Sequence, residues 1–308
     1  MSELAQWLTQ GPWPIDGGLS GELENLGHDL SDDLWSARLL RDSPESIAQV
    51  HRQYVEAGAR VIITASYQAS RRGFMSTGLT DIQADALIAQ SIVLAREVAD
   101  SASSKVWVAA SVGPYGAVLG GGEEYIGNYG VSHDDLVTFH RERIEVLAAA
   151  GPDLFACETI PDIVEVKALL EVLADYPHIP AWITMSCADG DFTCAGQPIS
   201  ELALVTRDHD NVVAIGANCT MPQHISQLFS TMREHTVKPF VVYPNAGRLW
   251  DPDNHVWMGE PRHLVDPESV REWALLGSAM IGGCCGLGPR AIRAIDEQLD
   301  ELRQSSAQ

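Results

Sequence analysis

The sequence predicts an α/β fold, a closed (β/α)8 TIM barrel that forms a single domain. Short apolar runs alternate with longer amphipathic stretches along the whole chain, which gives eight strand-then-helix units. The apolar runs lack internal polar alternation, as is typical of parallel strands that are covered on both faces. No Pro/Ser-rich linker interrupts the 308 residues, so one barrel domain over residues 1–308 is favoured.

The apolar runs and amphipathic stretches give the elements in order. The predicted strands are Trp13–Asp16, Arg60–Thr64, Val106–Val112, Leu154–Glu158, Ala181–Ser186, Val212–Asn218, Phe240–Asn245 and Ala279–Cys284. The predicted helices are Ser46–Ala57, Asp81–Ala102, His133–Ala149, Ile163–Ala174, Ile199–Thr206, His224–Glu234, Pro267–Leu276 and Pro289–Leu302. A doubly wound sheet is the alternative fold, but the segment Asp16-Gly17-Gly18 lacks the Gly-x-Gly-x-x-Gly spacing of its nucleotide-binding turn.

Long segments follow several of the predicted strands. In a barrel, the carboxyl ends of the strands and the loops after them form the active site. We therefore expect functional residues in the longest of these loops, which are Gly17–Pro44, Ala65–Thr80, Gly113–Ser132, Cys187–Pro198 and Ala246–Pro267.

Composition limits the classes of partner. Apolar residues make up 45% of the chain, yet no apolar run reaches the length of a membrane span. The formal charge of −22 argues against nucleic acid, because phosphates would be repelled. The N-terminus has no signal-like core, so we expect a cytoplasmic protein without a membrane partner, as a monomer or small homo-oligomer.

Three of the six cysteines follow apolar strand-like runs. Cys219 ends the sixth predicted strand, and Cys284 and Cys285 end the eighth within Gly-Gly-Cys-Cys-Gly. All three thiols thus reach the same rim of a barrel. Three protein ligands with a fourth position open are typical of a catalytic zinc site. We therefore hypothesise that Cys219, Cys284 and Cys285 bind Zn²⁺ and that the open position takes the substrate.

Two other interpretations of the cysteines stay open at this point. Adjacent cysteines can form a vicinal disulfide, which would make the chain a thiol redox protein, or they can be buried thiols. Six cysteines in a chain of 308 residues do not resemble a disulfide framework. Clustered thiols in a reducing compartment more often bind metal or react, which favours the zinc site.

Polar residues at strand ends are the candidate ligands for substrate. Asp16 ends the first predicted strand and Glu158 the fourth, and a carboxylate is a natural partner for an amino group. Thr64 and Asn218 also end strands, where a small polar side chain either binds a ligand or satisfies local backbone groups. Capping of the next loop is the other interpretation of Asp16.

Short motifs at the strand ends are typical of one enzyme family: Asp16-Gly17-Gly18, Ile63-Thr-Ala-Ser-Tyr67, Ser111-Val-Gly-Pro-Tyr-Gly116, Cys157-Glu158-Thr159, Gly216-Ala-Asn-Cys219, Val242-Tyr-Pro-Asn-Ala-Gly247 and Ile281-Gly-Gly-Cys-Cys-Gly286. In these segments the sequence resembles the homocysteine S-methyltransferases, and most closely their stand-alone members that use S-methylmethionine or S-adenosylmethionine. The segments extend in order from the first strand to the last. The resemblance implies a (β/α)8 barrel with zinc held by three cysteines.

The resemblance also implies an activity and a set of binding residues. The expected reaction is methyl transfer from a sulfonium donor to homocysteine, which yields methionine. Asp16 and Glu158 match the positions that bind the amino acid portion of homocysteine, and Asn218 matches a family position near the site. We expect Tyr67 or Tyr115 to provide an aromatic face for the cationic donor. No segment corresponds to a folate or cobalamin module, which disfavours those donors.

Rival functions remain at this stage. The same zinc chemistry serves other substrates, such as betaine as donor or selenocysteine as acceptor. A thiol redox protein and a catalytically silent barrel that binds zinc or an amino acid are the further alternatives.

Overall fold

The eight-stranded barrel predicted from the sequence is present. The computed structural model describes residues 3–31, 34–251 and 256–306. The barrel strands are β1 (Trp13–Pro14), β2 (Val61–Ile63), β3 (Trp107–Val112), β4 (Leu154–Ile160), β5 (Ala181–Met185), β6 (Val212–Asn218), β7 (Phe240–Tyr243) and, after a β8–β9 hairpin (Leu249–Asp251 and Val256–Met258), β10 (Ser278–Ile281). All neighbouring barrel strands are parallel. A parallel bridge between Ile15 and Val61 joins the first strand to the second and closes the ring.

Helices surround the ring, most of them on its outer face. They are α1 (Glu3–Leu8), α2 (Leu19–Asn25), α3 (Leu39–Asp42), α4 (Pro44–Glu56), α5 (Arg71–Ser76), α6 (Asp81–Ser101), α7 (His133–Ala149), α8 (Ile163–Leu173), α9 (Ser200–Val205), α10 (Pro222–Arg233), α11 (Pro267–Leu275) and α12 (Pro289–Ser306). The longest, α6, begins at a capping box in which the Thr80 hydroxyl accepts from the Gln83 backbone N–H. Ser132 begins α7 in the same way. No described helix has both the length and the apolar character that a membrane crossing requires.

The N-terminal helix α1 packs with the barrel interior. Leu4 and Leu8 belong to one apolar cluster with inward-facing strand residues such as Trp182 and Met280. Trp7 stacks on Trp13 with ring centroids 5.1 Å apart. Hydrophobic periodicity does not predict this helix, because six residues hold too few turns for a periodic pattern.

The ends of the barrel strands differ from the prediction at the site. The last strand ends at Ile281, whereas the prediction extended it to Cys284. A Cβ atom on Gly282 would lie 2.4 Å from the Ile15 side chain, so only glycine lets the chain turn so close to the first strand. The two cysteines therefore lie in a turn beyond the strand. The long strand-to-helix loops also contain short helices and a hairpin that periodicity did not indicate.

Candidate active site

The three cysteines predicted to bind metal lie together at the carboxyl ends of the strands. The Sγ atoms of Cys219, Cys284 and Cys285 all lie within 4.8 Å of one another. Cys219 Sγ and Cys285 Sγ are 3.4 Å apart, too far for a disulfide. Thiolates that share a tetrahedral zinc at the usual Zn–S length are separated by about 3.8 Å. The cluster thus has the separations that one divalent metal ion requires.

Backbone geometry brings the cluster together. Cys219 has a φ of +48°, a left-handed conformation that is uncommon outside glycine. This conformation turns the chain directly after β6. The Cys284 backbone N–H donates to the carbonyl of Pro244 across 2.8 Å. Gly18 lies against the same turn, since a Cβ there would approach the Cys284 carbonyl oxygen to 2.7 Å. The ends of β1, β6, β7 and β10 therefore fix the positions of the thiols.

The thiols of the cluster differ in pKa. Hydrogen bonds donated by the Cys219 and Cys284 thiols lower the pKa of Cys285 well below its ordinary value. Hydrogen bonds with Cys219 and Cys285, together with burial, raise the pKa of Cys284. Cys285 is thus the first of the three to become a thiolate, which is the form that binds metal. The Tyr125 hydroxyl lies 3.2 Å from Cys219 Sγ and adds a further polar contact to the cluster.

Asp16 lines the cavity beside the cysteine cluster. Its Oδ2 accepts a hydrogen bond from the Ile63 backbone N–H at 2.7 Å. Its Oδ1 is buried and has no partner among the described residues. Burial, with a further contribution from the charge of Glu158, raises the pKa of Asp16 well above its usual range. A buried carboxylate oxygen without a donor is costly unless a ligand supplies one.

Glu158 lines the same cavity at the end of β4. Its carboxylate accepts a hydrogen bond from the Ser111 hydroxyl. Burial raises the pKa of Glu158 to about 7, although polar interactions with the Ser111 and Tyr243 hydroxyls act in the opposite direction. The side chain therefore takes up or releases a proton near neutral pH. An ammonium group in the cavity would favour its charged form.

The other predicted binding residues divide into two groups. Thr64 and Tyr67 line the cavity with the two carboxylates. Tyr115 lies outside the cavity wall, where its ring packs edge-on against Phe139 with centroids 5.1 Å apart. Asn218 also lies behind the wall. The structure thus brings four of the six predicted ligand-binding residues to the cysteine cluster.

Asn218 is fully occupied by protein groups. Its Oδ1 accepts from the Thr159 backbone N–H and the Thr184 hydroxyl, and its Nδ2 donates to the Thr159 hydroxyl, each at 2.7 Å. Thr159 has a φ of +60° and directly follows Glu158. The Asn218 amide therefore stabilises the backbone directly after Glu158, where the pairing of β4 with β5 is irregular.

Three further cavity residues were not identified from the sequence. Glu124 and Tyr125 come from a 3-10 helix in the loop between β3 and α7, and Trp35 comes from one between α2 and α3. The Trp35 and Tyr67 rings meet edge to face with centroids 6.1 Å apart. The one sequence signal for these three residues was their position in long loops predicted to follow the carboxyl ends of the barrel strands.

Glu124 adds a third carboxyl group to the cavity. Burial raises its pKa to about 7, and the charge of Cys285 contributes in the same direction. Its backbone carbonyl accepts from the Ser186 hydroxyl at 2.9 Å, which ties the loop to the end of β5. The described residues that line the cavity include three carboxyl groups and three thiols but no Arg, Lys or His. The cavity is therefore built for cationic groups.

Fold and site together define a class. A (β/α)8 barrel whose strand ends gather three thiols, at separations suited to a metal ion, beside three carboxyl groups in one cavity has the arrangement of an enzyme active site.

The chain belongs to the homocysteine S-methyltransferase family. The family model for homocysteine S-methyltransferase matches residues 15–299. Homocysteine S-methyltransferase YbgG of Bacillus subtilis is 42% identical over 290 residues, which cover 91% of this chain and 92% of that protein. Homocysteine S-methyltransferase of Escherichia coli is 39% identical over 288 residues, 91% of this chain and 93% of that protein. The predicted class, a methyltransferase that acts on a thiol, is confirmed.

A solved structure agrees with the fold. The homocysteine methyltransferase MmuM from Escherichia coli, in its metallated form, superimposes with a TM-score of 0.86 at 37% identity. The match covers 96% of this chain and all of that one. The prediction of a single-domain TIM barrel is therefore confirmed.

Proposed function

We propose that this protein is a zinc-dependent homocysteine S-methyltransferase that transfers a methyl group from S-methylmethionine, or S-adenosylmethionine, to homocysteine. One observation carries the proposal: three thiols converge beside a buried Asp16 oxygen that lacks a partner and beside Glu158. The three thiols have the separations of a metal site, and the metal's remaining position would take the acceptor sulfur. The two carboxylates match the acceptor's ammonium group.

Each group of the site has a distinct part in the reaction. Cys219, Cys284 and Cys285 would hold the zinc ion, which when bound supplies the charge that favours the thiolate form of homocysteine at neutral pH. Asp16 and Glu158 bind the ammonium and thereby fix where the homocysteine sulfur lies. Many of the residues that line the cavity are buried, which limits the access of water to the reacting atoms.

The methyl transfer itself needs little further catalysis. The homocysteine sulfur loses its proton to solvent and forms a bond to the methyl carbon. The bond between that carbon and the donor sulfur breaks, and its electron pair stays on the donor sulfur, which becomes a neutral thioether. Since a sulfonium is already a good leaving group, no general acid is required, and positioning of the two sulfurs is the main task of the protein.

A methyl-donor panel tests the proposal. Purified protein is incubated with homocysteine and, separately, S-methylmethionine, S-adenosylmethionine or betaine, and methionine formation is measured. We expect methionine with a sulfonium donor and loss of that activity after treatment with a zinc chelator. Methionine from betaine alone would assign a different donor, and no methionine with any donor would contradict the proposed activity. Selenocysteine in place of homocysteine tests the acceptor in the same assay.

A further inference from the structure

The cavity holds one more carboxyl group than homocysteine needs. Homocysteine carries a single ammonium, for which Asp16 and Glu158 are already placed. Glu124 reaches the same cavity from a different direction, on the loop between β3 and α7. Among the described residues of the cavity wall there is no cation to pair with it. The charge of the proposed zinc ion is already balanced by its three thiolates, so the second substrate is the remaining source of positive charge.

The surroundings of Glu124 indicate which cation it meets. The charge of Cys285 acts on Glu124, as it also acts on Glu158, so both carboxyl groups lie near the cysteine cluster. The adjacent Tyr125 hydroxyl, 3.2 Å from Cys219 Sγ, places the same short helix directly against that cluster.

The geometry of methyl transfer links that position to the donor sulfur. Attacking and leaving atoms lie in line on either side of the methyl carbon, so two sulfurs in such a reaction are roughly 5 Å apart at most. With the homocysteine sulfur at the cysteine cluster, the donor sulfonium must lie close by. The donor's ammonium, three carbon atoms along the chain, lies farther away.

We propose that Glu124 binds the sulfonium centre of the methyl donor and thereby selects a cationic donor; this rests on the methyl transfer proposed above. Trp35 and Tyr67 line the cavity with Glu124 and present aromatic faces, which also attract sulfonium and other soft cations. The carboxylate and the two rings form the donor's cation site.

The charge changes during the reaction predict how this site acts. The sulfonium charge decreases as the methyl group leaves, so an ion pair with Glu124 is strongest before the transition state. Such an interaction lowers the Michaelis constant of the donor without raising kcat. Removal of the Glu124 charge should therefore weaken donor binding without lowering kcat.

The test is donor binding by Glu124→Gln, a substitution that keeps the size of the side chain. S-Methyl-L-methionine is titrated into the zinc-loaded protein without homocysteine, so that no reaction occurs, and heat is recorded at about pH 8, above the carboxyl pKa of about 7. We expect the dissociation constant to rise on the order of tenfold. L-Methionine, which has the same skeleton without the positive sulfur, should bind both proteins equally.

Glu123→Gln is the matched control. Glu123 precedes Glu124, does not line the cavity and accepts a hydrogen bond from the Gly121 backbone N–H at 2.8 Å, which a glutamine oxygen can also accept. This variant should bind S-methylmethionine as the wild type does. Unchanged S-methylmethionine binding by Glu124→Gln, or an equal loss of methionine binding, would overturn the sulfonium assignment.

Steady-state kinetics separates this inference from the proposed function. In Glu124→Gln the Michaelis constant should rise for S-methylmethionine and not for homocysteine, and zinc content should be unchanged. If the wild type forms methionine but the variant keeps the wild-type donor constant, the assignment of Glu124 fails alone. If the wild type forms no methionine, the methyl transfer fails as well.

Discussion

Replacement of Glu158 by glutamine should weaken homocysteine binding in a manner that depends on pH. The carboxylate is 7% exposed, so an ammonium bound there is largely shielded from water. A hydrogen bond to a charged group in such a place contributes about 1.5–3 kcal/mol. Since about 1.4 kcal/mol corresponds to a factor of ten, the Michaelis constant for homocysteine should rise roughly 10- to 150-fold when Glu158 is ionised.

The pH dependence follows from the raised pKa of about 7. Below that value the wild-type carboxyl is protonated and loses its attraction for the ammonium. From about pH 8 down to about pH 6 the ionised fraction falls by about tenfold. The ratio of the variant's Michaelis constant to that of the wild type should therefore fall by about the same factor. Ionisation of the homocysteine thiol affects both proteins equally and cancels in the ratio.

The assay measures initial rates at saturating donor over that pH range. Zinc content is checked in parallel, because the argument requires that Glu158→Gln leaves the metal site intact. Glu123 lies outside the cavity wall, so Glu123→Gln is the control and should behave as the wild type. A ratio below about two at about pH 8, or a ratio that does not vary with pH, would refute an ammonium-binding role for Glu158.

Substitutions of Gly18, Asn218 and His51 test residues that support the site or the fold. Gly18→Ala places a Cβ 2.7 Å from the Cys284 carbonyl oxygen and should weaken zinc binding at least about tenfold in a chelator competition assay. Asn218→Ala leaves the Thr159 backbone N–H without its partner and should lower the free energy of unfolding in urea by roughly 2–4 kcal/mol. His51→Leu should reduce the loss of stability between about pH 7 and pH 4 by up to roughly 3 kcal/mol, measured by urea unfolding at both values.

The sign of the His51 effect follows from its environment. Burial lowers its pKa from 6.5 to about 4, and neither ring nitrogen has a partner among the described residues. The unfolded chain therefore takes up a proton at a higher pH than the folded one. Stability due to the neutral ring is complete above about pH 6.5 and is lost as the pH falls toward 4. A variant with the wild-type pH profile would contradict this.

Controls and contrary outcomes for the other two variants also come from the structure. Gly18 has an extended backbone that alanine also adopts, so its effect is steric rather than conformational. Gly21→Ala is the matched control, since nothing lies within 4 Å of its Cβ position. Wild-type zinc affinity in Gly18→Ala would show that crowding between residue 18 and Cys284 does not affect zinc binding. Wild-type stability of Asn218→Ala would show that its hydrogen bonds are replaced by others.

The sequence predicted the parts of the site that depend on strand order. Cys219 and the Cys284–Cys285 pair follow apolar runs, and the shared polarity of parallel strands brings their ends to one rim. Asp16 and Glu158 were found by the same argument.

The remainder depends on loop conformation, which periodicity does not encode. Glu124 and Trp35 lie on 3-10 helices within long loops, and nothing in the local pattern distinguishes them from solvated residues. Asn218 ends a strand as predicted, yet its amide bonds to Thr159 and Thr184 rather than facing the cavity. Strand position alone does not tell a group that faces a ligand from one that supports the residue beside it.

Zinc content of the purified protein tests the central claim most directly. We expect near one zinc ion per chain in the wild type and in Cys194→Ser, a half-buried thiol outside the cysteine cluster. Replacement of Cys219 by serine should remove most of that zinc together with methionine formation. A Cys219→Ser protein that keeps full zinc and full activity would contradict the three-thiol site.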